Sequence, residues 1–556
     1  MSSHTTVQNP ILPGFNPDPS VVAVGDDFYI ATSTFEWYPG VQIHHSKDLK
    51  NWRLVKRPLD RKSLLDMRGN PDSCGIWAPC LTHHDGKFHL IYTDVKRFNG
   101  NFKDAHNYYT TCETIDGEWS EPVYMNSSGF DPSLFHDDDG RKWFINMIWD
   151  HRHENNQFGG ILLQEYCEKQ KKLVGPIKNI FKGTKLALTE APHMFKRNGY
   201  YYLLTAEGGT FYTHAMTMAR SKNIDGPYEE DPHGYLLTAK DHQDLGLQRT
   251  GHGDLFDAPD GQSYLVHLCG RPLDGERRCP LGRETGLQKT LWGDDDWLRL
   301  ESAVDAEANG NSTTSNGLPE MEVKVSNLPE HPWPAKTERY TFDSEELHID
   351  FQWLRTPTPE SFMSLTARKG HLRLIGKESI GSLFEQALIA RRQEAFAYTA
   401  QTELEFSPEN VQQMAGLTCY YNSTKFHYLY VSVDDEGQRF VDIMSCLGKS
   451  DMGLNFPLRE GHCGEFITDT RFMLPKEGKV YLKAEVDHHK LTFHFSMNNK
   501  DWTKLPVNLD YTIISDEAGG GDGCHFTGGF VGMACQDVSG QKCVADFASF
   551  TYKENS

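Results

Sequence analysis

Apolar and polar residues alternate with a period of two through most of the first 300 positions of the chain. Short aromatic and β-branched runs, such as residues 88–92 and 200–204, are bounded by turn sequences. Several of these turns are Asp-Gly or Asn-Gly pairs, including Asp85-Gly86 and Asn198-Gly199, which are the strongest short hairpin signals. The pattern therefore predicts antiparallel β-hairpins, and no long amphipathic helix is predicted anywhere.

The hairpins recur as five similar units whose first residues lie 54 to 62 positions apart. In four units a turn glycine follows the opening residue by nine positions. Four strands at this period predict a β-propeller of five blades, whereas a β-solenoid, the alternative, has much shorter coils. The first strand of each blade lines the central axis, so we expect one position, used five times, to form one pocket. The residues at that position are Asp18, Trp77, Asp131, Glu190 and His252.

The character of the chain changes after about residue 300. Residues 309–317 are polar and contain glycine, and three prolines follow shortly afterwards, which is typical of a linker. Alternation resumes near residue 336, for example in 397–406 and 426–433, without the five-fold signature. This predicts a separate β-sandwich and an all-β fold. The predicted units are a propeller at 1–320, a linker at 321–335 and a β-sandwich at 336–556.

Composition narrows the classes of function. The 556 residues carry a formal net charge of −21, which repels phosphate backbones and argues against a nucleic acid partner. The chain contains no run of about 18 apolar residues, so no membrane span is predicted. The first eight residues lack the basic and apolar regions of a secretory signal. Twelve scattered cysteines without a Cys-x-x-Cys pair are typical of free thiols in a reducing compartment. We therefore expect a cytoplasmic protein.

Three of the five opening residues are acids, which suits glycoside hydrolysis. That reaction needs one protonated and one ionised carboxyl group on opposite faces of the sugar. Glu190 has the longer reach and precedes apolar Ala191-Pro192, which favours a raised pKa and the role of general acid. Asp18, between two prolines, is the predicted base that activates water. Asp131 would hold up the pKa of Glu190 by like-charge repulsion and help to orient it. Separation across the axis predicts inversion at the anomeric carbon.

Each pocket residue also has a purely structural interpretation. An aspartate before a proline is often a turn or cap residue. Trp77 could be a core residue instead of a stacking platform for a sugar, and His252 could be a buried histidine or a metal ligand. Three acids at one repeated position favour the catalytic interpretation over these alternatives.

Short motifs carry a resemblance to a known family. They are Asn16-Pro17-Asp18-Pro19-Ser20, Gly129-Phe130-Asp131-Pro132-Ser133 and Thr189-Glu190-Ala191-Pro192-His193. With residues 251–254 and 279–285, they resemble glycoside hydrolase family 43, in particular its β-xylosidase branch with a C-terminal β-sandwich. The resemblance covers nearly the whole chain. It implies an inverting, exo-acting hydrolase with Asp18 as general base, Glu190 as general acid and Asp131 as the residue that tunes and orients the acid.

The same resemblance implies a set of substrate-binding residues. Arg283 would bond hydroxyl groups of the terminal sugar, a task that suits the guanidinium fork. Phe35 and Trp77 would form apolar walls. The sandwich would be concanavalin-like and would cap the active site, and Phe526, in a loop motif at 525–530 that matches the family, would close the rim of the pocket. His252, at the fifth opening position, completes the predicted set.

The expected activity is release of xylose from the non-reducing ends of β-1,4-xylooligosaccharides, with a side activity on α-L-arabinofuranosides. The alternatives are a predominant α-L-arabinofuranosidase and a non-catalytic carbohydrate-binding protein. No cofactor is required, and a calcium ion near His252 is left open. A homo-oligomer is implied by the resemblance alone. The basic pair Arg277-Arg278 is predicted to serve either substrate approach or a subunit contact.

Overall fold

The computed structural model describes residues 5–273, 275, 277–302, 317–325, 328–448, 470–519 and 525–555. It consists of a five-bladed β-propeller followed by a β-sandwich, which confirms the predicted all-β fold. Within these ranges, no helix has both the length and the apolar character needed to cross a membrane.

Each blade is an antiparallel sheet of consecutive strands. Blade 1 follows β1 (Thr5–Gln8) and contains β2 (Ser20–Val24), β3 (Asp27–Thr32), β5 (Gln42–Ser46) and β6 (Arg53–Lys56), while the short β4 (Trp37–Tyr38) joins another sheet. Blade 2 contains β7 (Gly75–His84), β8 (Lys87–Arg97), β9 (Asp104–Cys112) and β10 (Val123–Asn126). Blade 3 contains β11 (Ser133–His136), β12 (Lys142–Trp149), β13 (Phe158–Cys167) and β14 (Lys172–Phe181). Blade 4 contains β15 (Glu190–Arg197), β16 (Tyr200–Glu207), β17 (Ala215–Ser221), β18 (Glu229–Glu230) and β19 (Leu237–Thr238). Blade 5 contains β20 (Gln248–Asp257), β21 (Ser263–Gly270), β22 (Glu284–Trp292) and β23 (Leu298–Leu300).

Two of the turn pairs form the tight hairpins that the pattern predicts. Asp85 and Gly86 have φ values of 51° and 71°, and Asn198 and Gly199 have values of 48° and 76°. Positive φ at both central residues defines a type I′ turn, whose twist matches that of the strands it joins. These turns fix the register of the first hairpin in blades 2 and 4, and with it the residues that face the axis.

The predicted linker at 321–335 contains a strand, β24 (Glu322–Val325), which pairs with β1. Val323 and Val325 are buried together with Val7 in a core shared with blades 1 and 5. The pattern did not reveal this strand because four alternating residues are too short to stand out from a loop. The predicted polar stretch 309–317 lies, except for Gly317, outside the described residues. The boundaries of the units stay predictions.

The described part of the second domain forms two packed antiparallel sheets. One has nine strands: β25 (Arg339–Tyr340), β27 (Met363–Ser364), β28 (Leu372–Ile375), β30 (Ala397–Phe406), β35 (Val480–Asp487), β36 (Lys490–Ser496), β37 (Thr503–Lys504), β38 (Leu509–Asp510) and β40 (Val544–Glu554). The other has eight: β4, β26 (Phe351–Leu354), β29 (Ala387–Arg392), β31 (Gln413–Asn422), β32 (Lys425–Val433), β33 (Arg439–Leu447), β34 (Phe472–Met473) and β39 (Phe530–Asp537). Every second residue of β30 is buried, as its alternating sequence predicts.

The propeller supplies a strand to the sandwich. In the ladder between β4 and β26, Trp37 lies opposite Leu354 and Tyr38 lies opposite Trp353. Trp37 also stacks on Phe530 of β39, with ring centroids 3.6 Å apart and planes at 13°. Residues of both domains belong to one apolar core at this junction, so the sandwich is packed firmly beside the blade openings.

Candidate active site

A cavity of about 240 Å³ lies where the first strands of the blades begin. Its lining includes all eight predicted site residues: Asp18, Phe35, Trp77, Asp131, Glu190, His252, Arg283 and Phe526. Seven of them belong to the propeller, and Phe526 belongs to the sandwich. The structure thus brings the predicted residues together, while their individual roles stay predictions.

At the start of each blade, one residue has a left-handed backbone conformation. In two blades this residue is not the predicted opening residue. The conformation occurs at Asp18, Ala78, Asp131, Ala191 and His252, with φ of 56°, 37°, 53°, 52° and 37°. In blades 2 and 4 the equivalent residue therefore comes one place after Trp77 and Glu190. The ladder register also shifts just after these two residues, as in a β-bulge. Such bulges re-aim a side chain, and here two bulky residues reach the cavity from the neighbouring position.

Asp18 is held by two hydrogen bonds and is only 4% exposed. The Ser33 hydroxyl donates to its Oδ2 at 2.6 Å, and Nη1 of Arg283 donates to its Oδ1 at 3.1 Å. Hydrogen bonds between charged groups are stronger than neutral ones. The arrangement suits a fixed carboxylate that accepts a proton from water.

Glu190 has the properties of a general acid. Burial raises its pKa to about 8, the charge of Asp18 adds to the shift, and Arg283 and Lys103 oppose it. A carboxyl group with this pKa keeps its proton at neutral pH. The sequence analysis expected a raised pKa from like-charge repulsion by Asp131; Asp18 supplies such repulsion here, and the tuning role of Asp131 stays a prediction.

Asp131 accepts a hydrogen bond from the segment that carries Glu190. Its Oδ2 accepts the backbone N–H of Ala191, the residue after Glu190, at 3.1 Å. Burial raises the pKa of Asp131 well above its ordinary value, and the charges of Glu190 and Asp18 add to the effect. This contact fits an orienting role.

Three aromatic rings form one apolar wall of the cavity. The centroid of Phe35 lies 5.8 Å from that of Trp77 and 6.3 Å from that of Phe526, and Trp77 lies 5.8 Å from Phe526. Nε1 of Trp77 donates to the carbonyl oxygen of Ser73 at 2.9 Å, which fixes the indole ring. Because Phe526 comes from the sandwich, the wall needs both domains.

Arg283 lies between the two domains. Besides Asp18, its Nη1 contacts Oγ1 of Thr210 at 3.3 Å, and its Nη2 donates to the carbonyl oxygen of Phe526 at 2.8 Å. Its guanidinium carbon lies 5.0 Å from the ring centroid of Phe35. The guanidinium is therefore placed between the propeller acid and the sandwich loop.

His252 is buried beside Asp18, with Nδ1 at 3.8 Å from Oδ1 of that carboxylate. Burial lowers the pKa of His252 to about 4, so the imidazole is neutral at neutral pH. In the part of the chain that the structure describes, no group of three or more His, Cys, Asp or Glu side chains is arranged to hold a metal ion. The calcium ion considered near His252 stays a prediction.

Several lining residues escaped the sequence analysis. Phe130 precedes Asp131 as Trp77 precedes Ala78, so its place in the repeat was a usable signal. Lys103 donates to the carbonyl oxygen of Phe98 at 2.8 Å and lies 4.2 Å from the Trp149 ring centroid. Burial lowers its pKa to about 8. Lys103 and Trp149 lie outside the repeated opening motif, so no local pattern pointed to them.

The basic pair Arg277-Arg278 is divided between two environments. Arg278 donates to Oγ1 of Thr512 in the sandwich at 2.5 Å. The guanidinium of Arg277 lies 3.8 Å from the ring centroid of Tyr212. Arg278 is therefore a contact between the two domains, a role that the sequence analysis did not consider.

Paired carboxyl groups, an arginine and an aromatic wall on the axis of a propeller define a site for glycoside cleavage. The family model "Glycosyl hydrolases family 43" matches residues 7–298, and "Beta xylosidase C-terminal Concanavalin A-like domain" matches residues 339–553. The chain belongs to glycosyl hydrolases family 43 and is an enzyme. The alternative of a non-catalytic carbohydrate-binding protein is thereby set aside.

Close relatives extend over the whole chain. It is 55% identical over 549 residues to xylosidase/arabinosidase 43B of Humicola insolens, covering 98% of this chain and 97% of the relative. It is 47% identical to a β-xylosidase of Bacillus subtilis, covering 99% of both. The crystal structure of a xylan β-1,4-xylosidase from Bacillus halodurans superposes with a TM-score of 0.92 at 51% identity, covering 99% of this chain and 100% of that one.

Proposed function

We propose that the protein is an inverting, exo-acting β-xylosidase that releases xylose from the non-reducing ends of β-1,4-xylooligosaccharides. The relatives named for β-xylosidase activity support this assignment because each spans nearly all of both chains. A secondary activity on α-L-arabinofuranosides belongs to the proposal, since the Humicola insolens relative is named a xylosidase/arabinosidase.

The contrast between Glu190 and Asp18 carries the proposed mechanism. Glu190, with its pKa of about 8, gives its proton to the glycosidic oxygen as the bond to the anomeric carbon breaks. Asp18, paired with Arg283, takes a proton from the water whose oxygen bonds to that carbon from the opposite face. A single displacement by water inverts the configuration.

Closure of the cavity by the sandwich supports action on chain ends. Phe526 completes the aromatic wall, and its carbonyl oxygen accepts from Arg283. A site closed on one side accepts a terminal sugar more readily than the middle of a polymer. In the proposal, Arg283 bonds hydroxyl groups of that sugar, Phe35, Trp77 and Phe526 enclose it, and His252 lies beneath it.

Proton NMR during the first minutes of xylobiose hydrolysis tests the proposal. We expect α-xylose to appear before mutarotation produces the β-anomer. Initial β-xylose would mean retention and would contradict Asp18 as a base. Release of arabinose from an arabinofuranoside at a higher kcat/KM than release of xylose would make arabinofuranosidase the main activity.

We also propose that the enzyme works in the cytoplasm, on oligosaccharides that have already entered the cell. The ten cysteines in the described ranges are all free, in keeping with a reducing compartment. Fractionation of the source cells tests this, and activity in the culture medium alone would contradict it. A homo-oligomer, which rests on the family resemblance, is tested by light scattering of the purified protein.

A further inference from the structure

A row of five charged side chains runs from the cavity into the sandwich. Arg283 joins Asp18 at 3.1 Å and Asp516 at 3.8 Å, and Arg249 joins Asp516 at 3.0 Å and Glu517 at 2.9 Å. All five side chains are at most 10% exposed. Asp516 and Glu517 belong to the sandwich, so a charge of the second domain reaches Arg283 in the cavity.

Asp516 is fixed from within its own domain. The hydroxyl of Tyr421 donates to its Oδ1, while its Oδ2 faces both Arg249 and Arg283. The Tyr421 oxygen also accepts the backbone N–H of Thr527 at 3.2 Å, directly after Phe526. The carboxylate of Asp516 is therefore anchored to the loop that forms the cavity wall.

Arg283 consequently lies between two carboxylates, Asp18 on the propeller side and Asp516 on the sandwich side. Its Nε is 3.8 Å from Oδ2 of Asp516, which is too long for a hydrogen bond but short enough for strong attraction between buried charges. Without Asp516, the charge of Asp18 would be opposed on the sandwich side by the neutral carbonyl oxygen of Phe526 and no longer by a second carboxylate. We therefore expect the guanidinium to shift toward Asp18.

We propose that Asp516 is a positioning residue for the reaction, which holds the guanidinium of Arg283 where it can contact Asp18 and a sugar hydroxyl together. The inference rests on the proposed function, in which Arg283 binds the terminal sugar. The sandwich then contributes a charge to the active site in addition to the aromatic ring of Phe526.

Glu517 provides a matched control for Asp516. It is the next residue, it binds the same Arg249, and it also accepts the backbone N–H of Cys279 at 3.1 Å. Among the described ion pairs, Asp516 contacts Arg283 and Glu517 does not. Variants at the two positions therefore disturb the domain junction similarly but differ in their effect on Arg283.

The test compares Asp516→Asn with Glu517→Gln in xylobiose hydrolysis, with melting temperatures measured in parallel. We expect Asp516→Asn to lower kcat/KM by about 10- to 100-fold and Glu517→Gln to lower it by less than about threefold. In an Arg283→Ala background, adding Asp516→Asn should lower kcat/KM by less than about a further twofold, because the two residues act through one contact. Equal losses in the two single variants, or the full loss of Asp516→Asn in the Arg283→Ala background, would overturn the inference.

If Asp516→Asn does not fold, Asp516→Glu and Glu517→Asp carry the same comparison, since each keeps its charge and moves it by one methylene. Only the first should lower kcat/KM, and an equal effect of both would overturn the inference. The wild-type enzyme is assayed first on xylobiose and on an arabinofuranoside. No release from either substrate would overturn the proposed function together with this inference, whereas equal losses in the variants overturn the inference alone.

Discussion

The backbone N–H of Ala191 donates to Oδ2 of Asp131 at 3.1 Å, and this hydrogen bond connects the segment that carries Glu190 to the neighbouring blade. Asp131→Ala removes this acceptor, so we expect kcat on xylobiose to fall by about 100-fold as Glu190 loses its orientation. Asp131→Asn keeps a carbonyl oxygen and should lose only about tenfold. Equal losses in the two variants would contradict an orienting role for this hydrogen bond.

Replacement of Glu190 should affect substrates according to their leaving groups. Glu190→Gln cannot protonate the glycosidic oxygen, so kcat on xylobiose should fall by about 1,000-fold. The loss should be much smaller on a dinitrophenyl xyloside, whose leaving group departs without a proton. Asp18→Asn is the control, because water activation is needed for both substrates and both should lose activity alike. A Glu190→Gln variant equally impaired on both substrates would exclude Glu190 as the acid.

The pH dependence of kcat/KM should report the state of Glu190. Because its pKa is raised to about 8, the protonated form is present below that pH and is lost above it. The rate is therefore expected to fall through about pH 8 on the alkaline side. Initial rates on xylobiose between about pH 6 and pH 10, roughly two pH units on either side of this pKa, measure the fall. An unchanged rate up to about pH 10 would contradict the assignment.

The same raised pKa should lower the stability of the folded enzyme as the pH rises. Below the ordinary value of 4.5, Glu190 is protonated in both the folded and the unfolded state. Between 4.5 and about 8 only the unfolded state ionises, so the stabilising contribution is lost with rising pH. Glu190→Gln removes this loss, and its melting temperature should exceed that of the wild type by a growing margin through this range. A melting-temperature difference between the variant and the wild type that stays constant from about pH 5 to pH 8 would contradict the raised pKa of Glu190.

Phe526 and Phe530 lie close in sequence but should behave differently. Phe526 is half-buried on the cavity wall, so Phe526→Ala should raise KM for xylobiose by about tenfold with little change in melting temperature. Phe530 is fully buried against Trp37, so Phe530→Ala should cost about 3–5 kcal/mol of stability. Differential scanning calorimetry and steady-state kinetics on both variants separate the two effects. Loss of stability in Phe526→Ala with unchanged KM would contradict its place in the pocket.

Much of the fold and the pocket followed from the repeat, because five equivalent openings converge on one axis wherever they occur in the chain. The one-residue shift in blades 2 and 4 did not follow. Ala78 and Ala191 adopt the left-handed conformation there, and alanine carries no turn signal that would indicate it. Only the path of the backbone reveals that Trp77 and Glu190 come before that residue.

The sequence pattern also could not predict contacts between segments that lie far apart in the chain. Asp516 meets Arg249 and Arg283 only because the sandwich packs beside the blade openings, and the sequence around Asp516 gives no sign of these partners. The sequence resemblance did identify Phe526, because a motif in the sandwich loop matched the family. A residue of the second domain was therefore predictable where a motif existed and unpredictable where only packing defined it.

The strand β4 makes the catalytic and C-terminal segments unsuitable for exchange as separate modules. A cut between the two family matches, after residue 298 and before residue 339, would strip β26 of its neighbour and uncover the rings of Trp37 and Phe530. Each fragment would then present an open sheet edge and an apolar patch, the two features that promote aggregation. A chimeric enzyme that grafts this sandwich onto another propeller must therefore carry an equivalent of residues 37–38 with it.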